Sequence, residues 1–488
     1  PRNILSTQTE EIMPDNSASD NRPWYSGISR YQWLVLLIAS LGWVFDIFEG
    51  QIFVASMRDA MPQLLGVASA DDPRVGEWSN YSFASFLLGG AFGGVMFGVM
   101  SDRIGRSRTL IFTILFYSIF TALTALATEA WHMVALRFLV AMGVGGEWAV
   151  ASAMVAEVMP QRSRPVMSSI FHASSVFGTL LAAAVGYFIL SAQPWGENTW
   201  KLGFLIGVVP ALLTLWIRWK LHEPEKWQKA KETAEKDKSQ ATGKLMELFA
   251  PENRRGTVIG VTLATIGLVT FWGCHIYGKN ALMRKAQAHA LAKEQVEAKL
   301  APKMSGEADD EFAKRKDEWK KQKEAAFKKH SKTIKRAEMT SMTLNTIGGG
   351  LGLVLFGAIS NRLGRRGAFV LYHLGAFVMA LLMFKVLIPG GASETTLSIA
   401  LPVFGFLTLG MHAGYAVYFP ELYPTRLRGS GTGFCFNMGR IGSALYLFIV
   451  AKLGWQPDQA ALYMAPVFAI GIAIAWIAPE TRDKELPE

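Results

Sequence analysis

Cysteine is nearly absent from this sequence: of 488 residues, only Cys274 and Cys435 carry thiols. Two thiols cannot form a disulfide scaffold, and the chain lacks the cysteine and histidine spacing of a zinc site. It also lacks a glycine-rich loop of the type that binds phosphates. A metalloenzyme and an ATP-driven pump are therefore not supported, and we expect no catalytic residue, metal or cofactor. Both cysteines fall in apolar runs, where a thiol is ordinary packing material.

Charge is scarce in twelve long stretches of the chain. Crossing a hydrocarbon core of ~30 Å takes about 20 mostly apolar residues. The stretches predict an all-α integral membrane protein with 12 transmembrane helices. They are Trp33–Ser56, Tyr81–Met100, Leu110–Ala127, Met133–Val155, Met167–Leu190, Leu202–Leu221, Thr257–Tyr277, Met342–Ile359, Ala368–Leu387, Leu397–Phe419, Gly431–Ala451 and Ala460–Ile477.

Lysine and arginine are concentrated in the connections after the even-numbered stretches, whereas the links after spans three, five and nine have almost none. By the positive-inside rule, both termini and the linker between spans six and seven are predicted to lie in the cytoplasm, with the chain in the plasma (inner) membrane. The net charge of +10 therefore needs no nucleic-acid partner. The polar residues 1–29 are expected to form a disordered tail without a cleavable signal.

The chain repeats itself. GGAFGGVMFGVMSDRIGR (89–106) aligns without a gap with GGGLGLVLFGAISNRLGR (348–365), and EVMPQRSR (157–164) aligns with ELYPTRLR (421–428). Such repeats predict two pseudo-symmetric six-helix halves. The predicted domains are a tail (1–29), an N-terminal bundle (30–221), a cytoplasmic linker (222–255), the seventh span (256–278), a charged insertion (279–338), the rest of the C-terminal bundle (339–478) and a cytoplasmic tail (479–488).

These motifs carry a family resemblance. The second span ends in the pattern G-x-x-x-D-R-x-G-R, formed by Gly98, Asp102, Arg103, Gly105 and Arg106, and in this the sequence resembles the major facilitator superfamily. Further matches resemble its sugar-and-other-metabolite branch: Arg137, Gly143 and Gly145 in span four, PELYPTRLR (420–428) and PETR (479–482). The resemblance implies the major facilitator fold and a transporter rather than an enzyme.

Two acids lie on one face of the first span, Asp46 and Glu49, three residues apart. An acid at this depth costs at least ~2.5 kcal/mol, so it usually handles protons, ions or substrate. Resemblance to proton-coupled members implies that Asp46 or Glu49 pairs with Arg137 of span four, and Glu147 completes the predicted proton-coupling set. A switch that moves a proton and a static buried ion pair both remain open.

Arg440 is the main candidate for contacting the substrate, with Asn437 on the same face of span eleven. Its guanidinium is predicted to bind an anionic substrate, with a protein acid such as Glu147 or Asp46, or a helix end, as alternatives. Further predicted cavity residues, each of which is also compatible with simple packing, are Trp148, His172, Ser175, Trp272, His275, Asn345, His412 and Tyr415.

Charged residues at the cytoplasmic ends are predicted to close that side through ion pairs, although they would also suit a role in topology alone. The second repeat departs from the first, because Asn361 replaces Asp102. The predicted gating residues are Asp102, Arg103, Arg106, Glu157, Arg164, Arg362, Arg365, Glu421 and Arg428.

The cargo is less specified than the fold. Sugar transporters of the superfamily carry glutamines in spans five and seven, and these spans here have none; EPEKW (223–227) instead resembles metabolite, aromatic-acid and sialic-acid proton symporters. We expect proton-coupled uptake of a small organic anion, by a monomer as the functional unit in the lipid bilayer. Symport or facilitated transport of a sugar or another neutral metabolite, proton-independent facilitation and efflux antiport remain alternatives.

One polar segment interrupts the C-terminal half. Residues 279–338 hold 17 Lys/Arg and 10 Asp/Glu, and the stretches 281–300 and 307–330 predict a helical hairpin outside the cytoplasm. The hairpin would cap the cavity, collect anions, contact a partner, or be a solvated insertion. A non-transporting membrane sensor or adhesion protein that acts through this segment is the alternative from a different function class.

Overall fold

The structure is a computed structural model that describes residues 23–67, 72–190, 192, 194–209, 216, 220–298, 300–305, 307–453 and 457–488. Within these residues every regular element is a helix, which confirms the all-α fold class. The main helices are α1 (Arg30–Leu65), α2 (Pro73–Ile104), α3 (Arg106–Thr124), α4 (Ala130–Val158), α5 (Arg164–Ala173), α6 (Ser175–Val185), α7 (Thr199–Ile206), α8 (Glu225–Lys236), α9 (Pro251–Thr270), α10 (Ala281–Lys293), α11 (Asp309–Lys329), α12 (Ser331–Leu381), α13 (Glu394–Gly410), α14 (Ala413–Tyr418), α15 (Arg428–Leu453) and α16 (Pro457–Ile477).

Nine helical segments of the described residues are long and apolar enough to cross a membrane. One of them, Ser331–Leu387, contains the predicted eighth and ninth spans, separated by Gly364 with a φ of 77°. Helix α15 covers the predicted eleventh span. Much of the predicted sixth span and most of the predicted N-terminal tail lie outside the described residues. The count of twelve spans therefore stays a prediction.

Large apolar side chains cover the outside of the helices. Leu126 and Trp476 are each 72% exposed, and Ile119 and Leu351 are each 55% exposed. Contiguous apolar surface on this scale is unfavourable in water and suits a lipid environment. The protein is therefore a multi-pass membrane protein.

Glycines bring α2 and α12 into backbone contact with their neighbours, and the contacts follow the sequence repeat. In the first half, Gly89 of α2 packs against the backbone of Phe138 in α4. Its repeat mate, Gly348 of α12, packs against the backbone of Pro402 in α13. A Cβ at either glycine would overlap these backbones, so small residues are required for the close approach.

The two halves meet, at the ends predicted to be cytoplasmic, through the same repeat. A Cβ on Gly98 of α2 would lie 2.6 Å from the carbonyl oxygen of Gly429, at the start of α15. Its mate Gly357 of α12 packs against the backbone of Pro165 in α5. Helices α2 and α12 therefore each pack inside their own half and also cross to the other half.

The insertion between α9 and α12 forms two helices, α10 and α11. Helix α10 packs on the start of α12, where the Ser341 hydroxyl donates to the Lys279 carbonyl at 2.6 Å. Helix α11 is mostly exposed and returns to α10 through an ion pair of 2.7 Å between Lys329 and Glu294. The side of the membrane on which this hairpin lies stays a prediction.

Candidate functional site

A buried ion pair joins the first and fourth predicted spans. The Arg137 guanidinium of α4 binds the Glu49 carboxylate of α1, and both side chains are almost completely buried. Arg137 also donates to the Thr124 hydroxyl at 2.8 Å, and the Thr121 hydroxyl donates to Glu49 at 3.3 Å. The guanidinium carbon lies 5.0 Å from the ring centre of Phe53. Of the two acids in span one, Glu49 is therefore the partner of Arg137.

The second acid of span one faces another acid. Asp46 lies near the Glu147 carboxyl of α4, and the two carboxyl groups influence each other electrostatically. No donor among the described residues reaches either Asp46 oxygen. Glu147 fits against α1 because Gly42 has no side chain there; a Cβ would overlap its carboxyl. A hydrogen bond between two carboxyl groups requires one proton, because two carboxylates provide only acceptors.

Arg440 of α15 lies beside this acid pair. Its charge is close enough to Asp46 for electrostatic attraction, yet it forms no ion pair within 4.0 Å in the described part of the chain. Its Nη1 atom is buried without a hydrogen-bond partner, and its guanidinium carbon lies 5.8 Å from the ring centre of Phe436. Gly90 of α2 leaves the space that the guanidinium fills.

Other buried polar atoms also lack hydrogen-bond partners in the described residues. The Asn437 amide donates to the Gly433 carbonyl at 2.9 Å, but its oxygen accepts nothing. The Nε2 atom of His412, at the join of α13 and α14, is likewise buried without a partner. Because unpaired buried polar groups are costly, the unpartnered atoms of Asp46 on α1 and of Asn437 and Arg440 on α15 are candidates for contact with a polar ligand.

Aromatic side chains form one side of this region. Trp148 of α4 stacks on Phe436 of α15 with ring centres 3.9 Å apart, and so contacts the other half of the protein. The Trp148 indole donates to His172 Nδ1 at 3.1 Å, and the Trp43 indole donates to the His172 carbonyl at 3.1 Å. His172 therefore holds both indoles in position.

The predicted cytoplasmic gate is assembled around Asp102. Its carboxylate accepts hydrogen bonds from the backbone N–H groups of Gly429 and Ser430 at 3.0 and 2.7 Å, so it caps the start of α15 in the other half. Arg106 binds Asp102 at 2.6 Å. The two backbone contacts tie α2 to the opposite half with charge-assisted hydrogen bonds, and the Arg106 pair holds the carboxylate in place from within its own half.

Glu157 connects two gating arginines. It binds Arg106 at 2.7 Å and Arg428 of the other half at 3.0 Å, and all three side chains are fully buried. In the second half, Arg365 makes the equivalent pair with Glu421 at 2.7 Å. The repeated motifs therefore fold into repeated ion pairs.

Comparisons with known proteins agree with this geometry. Residues 35–266 match the family described as Sugar (and other) transporter. A putative metabolite transport protein of Haemophilus influenzae is 26% identical over 94% of this chain and 99% of its own length. The sialic acid transporter NanX of Escherichia coli is 24% identical over 92% of each chain. The cis,cis-muconate transport protein of Acinetobacter baylyi is 27% identical over 74% of this chain and 75% of its own.

Solved structures share the whole fold. The proton:xylose symporter XylE bound to 6-bromo-6-deoxy-D-glucose superposes with a TM-score of 0.67 at 17% identity, over 93% of this chain and 98% of that chain. The Escherichia coli fucose:proton symporter FucP gives a TM-score of 0.61 at 14% identity, over 92% and 99%. This chain has the fold of the major facilitator superfamily, and nearly half of it matches the Sugar (and other) transporter family. It is a transporter of small molecules and not an enzyme.

Other predicted cavity residues make contacts within the C-terminal half. His275 Nδ1 lies 2.7 Å from the Thr408 hydroxyl, and its ring stacks on Phe271. The Tyr415 hydroxyl donates to the Leu263 carbonyl at 3.1 Å. The Asn345 amide donates to the Leu401 carbonyl at 3.4 Å. These contacts give the three side chains a packing role, independent of any role toward the substrate.

Two predicted cavity residues remain, Trp272 and Ser175. Trp272, directly after α9, meets Phe83 of α2 edge to face, with ring centres 5.1 Å apart, and so links the two halves. Ser175 is half-buried at the start of α6.

Three predicted gating arginines form no ion pair among the described residues: Arg103, Arg362 and Arg164. Arg103 is exposed, and its guanidinium reaches the Gly243 carbonyl of the linker at 3.5 Å. The Arg362 side chain is exposed, and its carbonyl accepts from Arg482 at 2.9 Å. Arg164 is buried and donates through Nε to the Ala156 carbonyl at 3.0 Å.

Two acids of the gate region did not emerge from the sequence as gating residues. Glu223 accepts from the backbone N–H of Arg106 at 2.6 Å, at the start of α3. Glu480 accepts from the backbone N–H of Arg365 at 2.9 Å, after the break at Gly364. Burial raises the pKa of Glu480, but hydrogen bonds from four backbone N–H groups together lower it by more. The net pKa is therefore below its usual range. The sequence offered one signal for these two capping acids: each is a glutamate next to a proline, after the end of its half of the chain.

Proposed function

We propose that this transporter imports a small organic anion together with protons by alternating access. The observation that carries the proposal is Arg440, whose buried Nη1 lacks a partner beside Asp46. A carboxylate ligand would meet the guanidinium with two parallel hydrogen bonds. Charged groups inside membrane proteins generally mark a substrate or ion pathway.

The names of similar proteins support an acidic cargo. They include a sialic acid transporter and a cis,cis-muconate transport protein, both named for carboxylic acids. The absence of glutamine from the fifth and seventh spans removes the hydroxyl contacts expected for a sugar. A carboxylate is therefore the preferred ligand for Arg440.

Two pairs of buried side chains, Asp46 with Glu147 and Glu49 with Arg137, account for the proposed proton coupling. Two facing carboxyl groups in a dry site cannot both stay ionised without a large cost, so Asp46 and Glu147 would share one proton. An anion at Arg440 would compete with Asp46 for the guanidinium and favour protonation of the pair. Separation of Glu49 from Arg137 during the conformational change would supply a second step at which a proton can bind or leave.

The gate contacts support a closed cytoplasmic side in this conformation. Asp102 and Glu157 join the halves there, and both must lose their partners before the site can open to the cytoplasm. In this proposal, the protein lies in the inner membrane and both of its termini lie in the cytoplasm. Uptake would then start from the conformation described here.

The test is uptake by proteoliposomes with and without an inward proton gradient. The panel contains radiolabelled monocarboxylates, an aromatic acid, sialic acid and a hexose, and the variants are Arg440→Ala and Arg440→Lys. We expect gradient-driven uptake of an acid, loss of at least ~90% in Arg440→Ala, and partial retention in Arg440→Lys, since the lost charge-assisted bonds are each worth about 1.5–3 kcal/mol.

The matched control is Arg108→Ala, which removes an exposed arginine at the start of α3. Its uptake should equal that of the wild type. Hexose uptake without acid uptake, or acid uptake that is equal in Arg440→Ala, would refute the assignment of Arg440 to an anionic cargo.

A further inference from the structure

The two cytoplasmic junctions between the halves differ in charge. At the first junction, Asp102 binds the start of α15 through backbone N–H groups. At the second, the repeat mate Asn361 makes one contact across the junction, an amide donation of 3.4 Å to the Arg162 carbonyl. The second junction therefore lacks the carboxylate that the first one has.

A cavity of about 440 Å³ lies at this second junction. Four of its seven lining side chains are cationic and one is acidic. The lining residues, which we call the cytoplasmic cavity, are Gln161, Arg162, Arg164, Asn361, Arg365, Asp483 and Lys484. They come from both halves and from the segment after α16.

The positive charge of the cytoplasmic cavity is only partly neutralised. Arg365 is paired with Glu421, but neither Arg164 nor Lys484 forms an ion pair within 4.0 Å among the described residues. Lys226 lies close to Arg164; burial and then the charges of Arg164 and Arg428 lower its pKa, and the smaller effects of Glu485 and Glu488 raise it. The local excess of positive charge is thus felt by a neighbouring ammonium group.

We propose that the cytoplasmic cavity binds a phosphate-type oxyanion, which takes the place of the carboxylate missing at Asn361. Guanidinium groups match the oxygen geometry of phosphate, and the cavity is large enough for a phosphate group. Because the lining comes from both halves, the bound anion holds the cytoplasmic side closed. The phosphate belongs either to a soluble anion or to a lipid headgroup.

The first experiment measures thermal stability of the full chain in detergent, with inorganic phosphate titrated against chloride at equal ionic strength. The variants are Asn361→Asp, Lys484→Gln and, as a matched control, Lys229→Gln on the exposed side of α8. We expect phosphate to raise the melting temperature of the wild type and of Lys229→Gln. Its half-effective concentration should rise roughly tenfold in both other variants, because a charge-assisted contact is weakened or an anion is repelled.

A second titration separates the two sources of phosphate. Phosphatidylglycerol replaces inorganic phosphate in mixed micelles, with phosphatidylcholine as the reference. Stabilisation by inorganic phosphate identifies a soluble ligand, whereas stabilisation by phosphatidylglycerol alone, lost in Lys484→Gln, identifies a lipid headgroup. No stabilisation by either compound, or equal stabilisation of all four proteins, would overturn the proposal. Neither titration involves the transported substrate, so the result is independent of the proposed cargo.

Discussion

At the scale of single residues, the buried charges of this protein fall into two kinds. Glu49 and Arg137 form an ion pair, as do Arg106 and Glu157, although Glu49 Oε2 and Arg137 Nε have no hydrogen-bond partner among the described residues. Arg440 has no such partner among the described residues. A paired buried charge contributes little net stability, whereas an unpaired one costs free energy that a ligand can recover. In the proposed mechanism, this difference separates the ion pairs that break during transport from the group that receives the cargo.

Glu49→Gln should abolish proton-driven accumulation of the acid and leave substrate exchange between the two sides intact. Glutamine keeps a hydrogen bond to Arg137 but cannot carry a proton. Accumulation and counterflow in the same proteoliposomes distinguish the two activities. Glu252→Gln, an exposed acid in the first turn of α9, is the control and should accumulate substrate normally. Undiminished accumulation in Glu49→Gln would assign the ion pair a purely structural role.

At the scale of helices, glycine decides which elements touch. Gly94 of α2 leaves the space taken by Asn437 of α15, and Gly433 of α15 packs against the Gly94 backbone. The same stripe of small residues faces α4 through Gly89 and Gly93. Helix α2 can therefore pack closely on α4 of its own half and on α15 of the other half, because it presents glycines to both.

Gly94→Ala should destabilise the closed cytoplasmic side and lower the melting temperature, since the new methyl group overlaps Asn437. Overpacking at a close contact costs roughly 1–3 kcal/mol. Gly76→Ala in the same helix meets no atom within 4 Å and is the control. It should be neutral or slightly stabilising, because alanine is the better helix former by about 1 kcal/mol. Equal effects of the two substitutions would contradict the packing argument.

The hairpin has an ion pair of its own at the start of α11. Arg315 donates to both Glu307 oxygens, at 2.8 and 2.7 Å, and the Met304 N–H adds a third bond. The Arg315 bonds, followed by the Met304 bond, lower the pKa of Glu307 to about 2. A lowered pKa means that this stabilisation is present above the ordinary glutamate pKa and is lost as the pH falls through about 2.

Glu307→Gln should therefore speed amide hydrogen exchange in the first turns of α11 at neutral pH. In the wild type, protection there should persist as the pH falls to about 4, after correction for the intrinsic exchange rate. Asp310→Asn removes a charge from the same turn without an ion pair in the described residues and is the control. Identical exchange in the two variants would show that the Arg315 pair does not hold this end.

At the scale of the whole molecule, the repeat makes the two halves alike in packing and unlike in charge. Both halves use a glycine stripe, an arginine paired with a glutamate, and a capping glutamate, Glu223 or Glu480. Only the first half has an acid at the crossing point, Asp102, where the second has Asn361. The closure at the predicted cytoplasmic side is therefore asymmetric in charge, and we expect opening to require the loss of more charged contacts at the first junction.

Replacing residues 295–328 by a short Gly/Ser linker should leave the affinity and rate of uptake unchanged. Glu294 and Lys329 are in contact, so a short connection can join them, and α10 keeps its packing on α12. The uptake KM and maximal rate measure the outcome. A rise in KM alone, absent when Lys320 and Lys321 are instead changed to Gln, would show that the hairpin contributes to substrate entry beyond its charge.

Much of the architecture was predictable because it follows from local pattern. Apolar runs predicted the membrane helices, and the repeat of glycines predicted the equivalent packing of α2 and α12. The site was predictable in part: charged residues in apolar runs identified Asp46, Glu49, Arg137 and Arg440 as candidates. Their pairing was not, because Asp46 and Glu49 lie on the same face of α1 and both could reach a cation on α4.

The sequence alone determined the helical membrane class, the internal repeat and the set of intramembrane charges, because each depends on residue type and spacing along one chain. The tertiary structure decided that Glu49 takes Arg137, that Asp46 faces Glu147, and that Arg440 has no partner in the described residues. It also decided that Glu223 and Glu480 cap distant helices. The physical reason is that ion pairing depends on distances between helices, and packing of side chains against glycines sets these distances.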